Sequence, residues 1–185
     1  MSAQGSWVLL PVLGAPLAHA PVLTGDLMPR LARPIDLGAR VRGRRLFGDN
    51  KTWRGALVMG SGTLAATVAL DRVEWFRARL PEELRAAGPW RYGALLGLGV
   101  VGGELPNSFL KRQLGIAPGK RRWTPAGVAL VVFDQADFVL GVWAALLPVW
   151  RMPWRDAARA FALVAGVHMA INVVGYAIGA RDTAI

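Results

Sequence analysis

A long apolar run from Thr124 to Trp150 is interrupted only by Asp134-Gln135-Ala136-Asp137. A run of that length predicts a membrane-spanning helix, which needs about 20 predominantly apolar residues. Carboxylates at i and i+3 share one face of such a helix. Asp134 would lie about 15 Å into the run at the helical rise per residue. An ionised side chain at that depth costs roughly 2.5–3.5 kcal/mol on insertion scales, so it implies a partner or a function. A divalent cation is one such partner. Arg or Lys from neighbouring helices, or a proton relay, is the other.

Four more apolar segments, at about 6–24, 55–70, 90–110 and 157–179, predict an all-α, polytopic integral membrane protein of about five transmembrane helices. The chain is 54% hydrophobic with a mean hydropathy of +0.35, yet its net charge is +10. Basic and apolar together fit membrane spans joined by cationic loops. Nucleic-acid binding is the other use of a high pI. It is disfavoured because the basic residues punctuate apolar spans and do not line one soluble face. The absence of cysteine excludes a disulfide framework and a thiolate metal site. Residues 1–185 read as a single domain, with no tandem repeat, and a homo-oligomer is left open.

Ala18-His19-Ala20 has the small-x-small form of a signal-peptide cleavage site, but no Lys or Arg precedes Arg30. The segment therefore reads as a retained first helix. Of the 22 Lys and Arg residues, 14 fall in loops 25–54 and 111–123 or at Arg181, and 8 in the alternate loops. The positive-inside rule then places the two richer loops in the cytoplasm of a cell-membrane protein. Trp7, Trp53, Trp90, Trp123, Trp150 and Trp154, near segment ends, fit interfacial belts. Glycines 93, 97, 99, 102 and 103 permit close helix approach in the third segment.

Three polar clusters belong to the cytoplasmic side in this topology. Arg44 to Gly55 contains glycine, Lys51, Thr52 and Arg54, the parts of an anion-binding loop, though not at P-loop spacing. The alternative is a juxtamembrane stretch touching anionic lipid. Gly103-Glu104-Leu105-Pro106-Asn107-Ser108-Phe109-Leu110-Lys111-Arg112 combines a carboxylate, an amide, a hydroxyl and two cations. Glu104, Ser108 and Lys111 lie near one face if the helix continues past Pro106. Glu104 could ligate a metal there, or simply pair with an interfacial cation. The third cluster is the aspartate pair, whose hard oxygens suit magnesium together with substrate phosphates. His168, Asn172 and Tyr176 form a polar stripe in the last segment that interhelical hydrogen bonding explains; a catalytic His168 is the sharper alternative.

Arg44 to Gly55, Ser108 to Ile116 and Asp134 to Phe138, in that order, resemble the CDP-archaeol synthase family, which is similar to the CDP-diacylglycerol synthases. Ala20-Pro21-Val22-Leu23, Pro34-Ile35-Asp36, His168, Asn172 and Gly175-Tyr176 extend the resemblance across nearly the whole chain. It implies a five-helix membrane cytidylyltransferase that takes CTP and a membrane lipid phosphate, with Mg2+, and releases CDP-lipid and pyrophosphate. It further implies catalytic roles for Asp134, Asp137 and Lys111. Phosphate binding falls to Lys51, Thr52, Arg54, Asn107, Ser108 and Arg112, and metal binding to Asp134, Asp137 and Glu104. Gly103-Glu104-Leu105-Pro106-Asn107 departs from the expected Gly-Asp pattern. The extra methylene of Glu moves its carboxylate, which bears on the lipid substrate more than on the reaction type. A proton-coupled transporter or lipid flippase using Asp134 and Asp137 is the competing reading.

Overall fold

The computed structural model describes residues 7–118, 120, 124–134 and 137–177. A 3-10 turn, Leu10–Leu13, leads into α1 (Gly14–Thr24). A long loop then carries a small hairpin, β1 (Arg40–Val41) with β2 (Arg44–Arg45), before α2 (Trp53–Asp71). After a short α3 (Glu74–Arg77) comes α4 (Glu82–Gln113), followed by α5 (Pro125–Asp134), α6 (Asp137–Leu146) and α7 (Trp154–Ala177).

Each apolar segment of the sequence coincides with helix, but the spans are not five uniform rods. The hairpin is a strand element that an all-α reading omits. The first segment is divided between the 3-10 turn and α1. The fourth is helical over α5 and α6, and residues 135–136 lie outside the described residues. α4 is long but bends at Gly88, where φ is +76°, and it carries Glu104, Lys111 and Arg112. Among the described residues no helix is long and apolar enough to cross a membrane. The helices nevertheless expose large apolar side chains, including Leu17, Leu98, Trp90, Trp154 and Leu163, a surface suited to hydrocarbon and costly in water.

α4 is the central element. Its first turn carries Glu82 and Glu83 and its last turn Lys111 and Arg112, charges that complement the helix dipole. Gly115, at φ +73°, closes it. The Gly115 amide bonds the Arg112 carbonyl and the Ile116 amide bonds the Lys111 carbonyl, which reverses the chain. Two glycine rows on α4 set its neighbours. Gly93 and Gly97 face α2, where a Cβ at Gly97 would fall 2.7 Å from the Gly60 carbonyl oxygen. Gly99 and Gly103 face α6, where a Cβ at Gly103 would fall 2.8 Å from both the Asp137 carbonyl oxygen and the Phe138 Cα. Gly141 meets Gly99 and Gly103 from the other side, while Gly14 and Ala18 of α1 meet Gly62 and Ala66 of α2. These are small-xxx-small seams of the kind that let membrane helices touch backbone to backbone. Tyr92, fully buried, donates from its hydroxyl to the Val8 carbonyl at 2.6 Å and ties the N-terminal segment to α4.

The seams make a sharp contrast testable. Gly141→Val should destabilise the protein by about 1–3 kcal/mol through overpacking, read as a lower melting midpoint in detergent. Gly102→Ala, with nothing within 4 Å of the added methyl, should be neutral or slightly stabilising.

Candidate active site

Past the second glycine row, the same face of α4 turns polar. Gly99, Gly103, Asn107 and Lys111 recur at i, i+4, i+8 and i+12. Gly103 brings the backbone of Asp137 against α4. One turn further, Asn107 Nδ2 donates to Asp134 Oδ1 at 3.0 Å and to Asp137 Oδ2 at 3.3 Å. Another turn on, Lys111 Nζ pairs with Asp134 Oδ1 at 2.5 Å. The helix runs unbroken through Pro106, so Glu104, Ser108 and Lys111 do share a side of α4.

The two aspartates are not equivalent. Asp137 is buried at the start of α6, while Asp134 ends α5 with its side chain 53% exposed. Asp134 and Asp137 meet through the amide of Asn107. Glu104, within electrostatic reach of Asp137, is ion-paired with Lys51.

Two cavities open beside these groups, and Asn50 and Lys51 line both. The first, about 630 Å³, has His19, Lys51, Arg54 and Glu104 among apolar walls that include Leu23, Ile35, Met59 and Leu105. The second, about 250 Å³, is more polar and is lined by Ser108, Lys111, Arg112, Lys120 and Asp134. Arg112 is buried, and its Nε and Nη1 have no hydrogen-bond partner. Burial works against its charge, and Asp49 offsets part of that cost. A buried guanidinium with spare donors facing a polar cavity is suited to an anion.

Thr52 caps α2, its Oγ1 accepting from the Gly55 amide at 3.1 Å, and it also lines the first cavity, where its hydroxyl hydrogen is still available to donate. Arg54 Nη1 donates to Asp26 Oδ1 at 2.7 Å and to the Leu27 carbonyl at 3.0 Å, while its buried Nε has no partner. Asn107, expected on phosphate, sits between the carboxylates and lines neither cavity. The structure therefore brings Lys51, Arg54, Glu104, Ser108, Lys111, Arg112 and Asp134 around two adjoining spaces. His168, Asn172 and Tyr176 fall on α7, and their side chains lie outside the described residues.

Among the described residues no cluster of three or more acidic, histidine or cysteine side chains forms a ready-made metal cage. Magnesium does not need one, since one or two carboxylates plus substrate phosphates are its usual set. The donors here fit that pattern. Asp134 and Asp137 are joined at Asn107, whose own Oδ1 is buried and has no partner, a spare hard oxygen beside two carboxylates.

Two contributors carry little sequence signal. His19 faces the first cavity from α1; only the topology of α1 against α2 puts it there. Asp36 organises the loop that delivers Asn50, Lys51 and Thr52. Its carboxylate accepts from Arg45 Nη2 at 2.6 Å and from the amides of Phe47, Gly48 and Gly38 at 3.0, 3.1 and 3.1 Å. Burial opposes the charge, but Arg45 and these amides outweigh it and hold the carboxyl well below the usual carboxylate range. The sequence marks it only through Pro34-Ile35-Asp36, a part of the family resemblance that names no role for the carboxylate.

A helical bundle with a small hairpin, exposed apolar side chains and adjoining cavities lined by cations and carboxylates suits an enzyme that works at a membrane. The family description CarS-like, CDP-archaeol synthase, matches residues 4–185. A CDP-archaeol synthase of Halobacterium salinarum is 33% identical over 182 residues, 95% of this chain and 92% of that protein. One of Methanopyrus kandleri is 33% identical, covering 97% and 91%. A solved structure described as an intramembrane enzyme for archaeal membrane lipids biosynthesis aligns with a TM-score of 0.64 and 30% identity, over 90% of this chain and 91% of that one. The chain belongs to the CDP-archaeol synthase family and is a membrane cytidylyltransferase.

Asp36→Asn should lower the melting midpoint by at least about 5 °C at neutral pH, since it leaves Arg45 and three amides facing a neutral group. Because the folded pKa is depressed, this contribution is fully present above the unfolded value near 3.9 and is lost only as pH falls towards the folded one. The gap between wild type and variant should stay constant from about pH 8 to about pH 5 and narrow below about pH 4, as read by thermal unfolding.

Proposed function

We propose that the chain is a magnesium-dependent enzyme that transfers the cytidylyl group of CTP to an isoprenoid glycerol phosphate in the membrane, releasing pyrophosphate and a CDP-lipid at the cytoplasmic face. The observation that carries this reading is the pair of cavities sharing Asn50 and Lys51. A triphosphate needs a polar, cationic space, and the second cavity supplies Lys111, Lys120 and the unpartnered Arg112. A lipid phosphate needs apolar walls ending in cations, and the first cavity combines Leu23, Ile35 and Met59 with Lys51 and Arg54. Both of the family relatives described above are CDP-archaeol synthases, which favours an isoprenoid substrate and favours nucleotidyl transfer over proton-coupled transport.

In this reaction an oxygen of the lipid phosphate attacks the α-phosphorus of CTP. The bond from that phosphorus to the β-bridging oxygen breaks, and pyrophosphate carries the electron pair away. Little covalent work falls to the protein; positioning and charge neutralisation supply the catalysis. Arg112 and Lys111 neutralise the triphosphate in the polar cavity. Lys51, on the wall common to both spaces, can serve either phosphate. When these lysines turn to phosphate, Glu104 and Asp134 lose their present partners. Asp134 and Asp137, with Glu104, are the residues that would hold magnesium. The ion, when bound, offsets polyphosphate charge and stabilises the departing pyrophosphate. Asn107 holds the two aspartates together.

Pyrophosphate release from a panel of nucleotides and lipid phosphates tests the reading on purified protein in detergent. CTP with an isoprenoid glycerol phosphate should be the most active pair. EDTA should abolish turnover and magnesium restore it. Asp137→Asn should lose at least about 100-fold in kcat. Arg112→Gln should raise KM for CTP about ten-fold or more, with KM for the lipid near the wild-type value. Undiminished turnover in EDTA or in Asp137→Asn would overturn the assignment.

A further inference from the structure

A third space lies on the outer side of the hairpin and shares no residue with the two cavities of the site. It is a groove of about 650 Å³ between the β-hairpin and the end of α4, lined by Val41, Arg42, Arg44, Phe109 and Gln113. We propose that this groove binds the headgroup of an anionic phospholipid of the surrounding membrane, a lipid distinct from the substrate.

Charge is the first argument. Arg42 and Arg44 are exposed, no carboxylate lines the groove, and neither side chain has an ion pair or hydrogen bond among the described residues. The acids of this loop are occupied elsewhere, Asp36 and Asp49 by Arg45 and Asp26 by Arg54. Shape and polarity agree. Val41 and Phe109 line the groove beside Arg42 and Arg44, so apolar and cationic groups meet in one space, as an acyl chain and its phosphate require. Location is the third argument. Phe109 and Gln113 sit where the apolar segment 90–110 gives way to the basic loop 111–123, the depth of a headgroup layer.

The hairpin backbone adds a fourth. Arg42 and Gly43 have φ of +51° and +78°, the two positive values of a type I′ turn. Asn or Gly is favoured at the first of these positions, and an arginine is strained there. Strain kept at an exposed turn points to a use for that side chain. The hairpin is tied to α4 by Gln113 Nε2, which donates to the Arg45 carbonyl at 3.3 Å, and braced within itself by Arg40 Nη1, which donates to the Gly43 carbonyl at 3.1 Å. Arg42 and Arg44 are thus carried on a braced support, and the same loop delivers Asn50 and Lys51 to the site.

Thermal unfolding of the full chain in detergent reads this as binding, independently of nucleotide transfer. Short-chain phosphatidylglycerol should raise the melting midpoint in a saturable way. Short-chain phosphatidylcholine and inorganic phosphate should not. Arg42→Gly should raise the midpoint without lipid, by relieving the turn, and weaken the response to phosphatidylglycerol roughly five-fold. Adding Arg44→Gln should weaken it roughly five-fold again, and Arg42→Lys should keep most of it. A phosphatidylglycerol response unchanged in Arg42→Gly or in the double variant would overturn the proposal. So would an equal shift from phosphatidylcholine or from inorganic phosphate.

Discussion

The structure depends on the distance between α4 and α6. In a bilayer the hydrophobic effect does not press helices together, so close packing has to come from the shape of the surfaces in contact. Gly99, Gly103 and Gly141 provide it by removing side chains where the two backbones meet. The buried polar chemistry follows one turn later. Asn107 can reach Asp134 and Asp137 together only because Gly103 lets the start of α6 lie directly against α4. A wider spacing would leave Asp137 buried without its amide donor, a costly position for a carboxyl group.

From this frame the site is assembled by loops. The reversal at Gly115 turns the chain so that Ile116 and Lys120 line the polar cavity. The Asp36 centre folds the longer loop so that Asn50 and Lys51 arrive between the two cavities. The alternate charge distribution of the sequence now has a structural counterpart: the two loops richest in Lys and Arg converge on one end of α4.

What the sequence made legible was chemical type and approximate place. Apolar runs mark the helices because burial in lipid or protein demands them. Lys51, Lys111, Arg112 and the aspartates stand out because charge beside such runs is expensive. What it concealed was relational. Nothing in the run 124–150 announces that Asp137 is buried while Asp134 keeps half of its side chain exposed, since both stand in equally apolar surroundings. Asn107 reads as one more polar group in a polar cluster until α6 is placed beside it. Asp36 is paired nine residues away with Arg45 and bonds amides up to twelve residues away, separations that no helical or strand period reveals. The third segment's glycines suggest close approach, but only the fold divides them into one row for α2 and another for α6.

Backbone-to-backbone seams have a mechanical corollary. Ordinary packed interfaces adjust by swapping rotamers, and a glycine contact has none to swap. α2, α4 and α6 therefore form a stiff bracket. Asp137, at the start of α6, is thereby anchored to an unyielding wall.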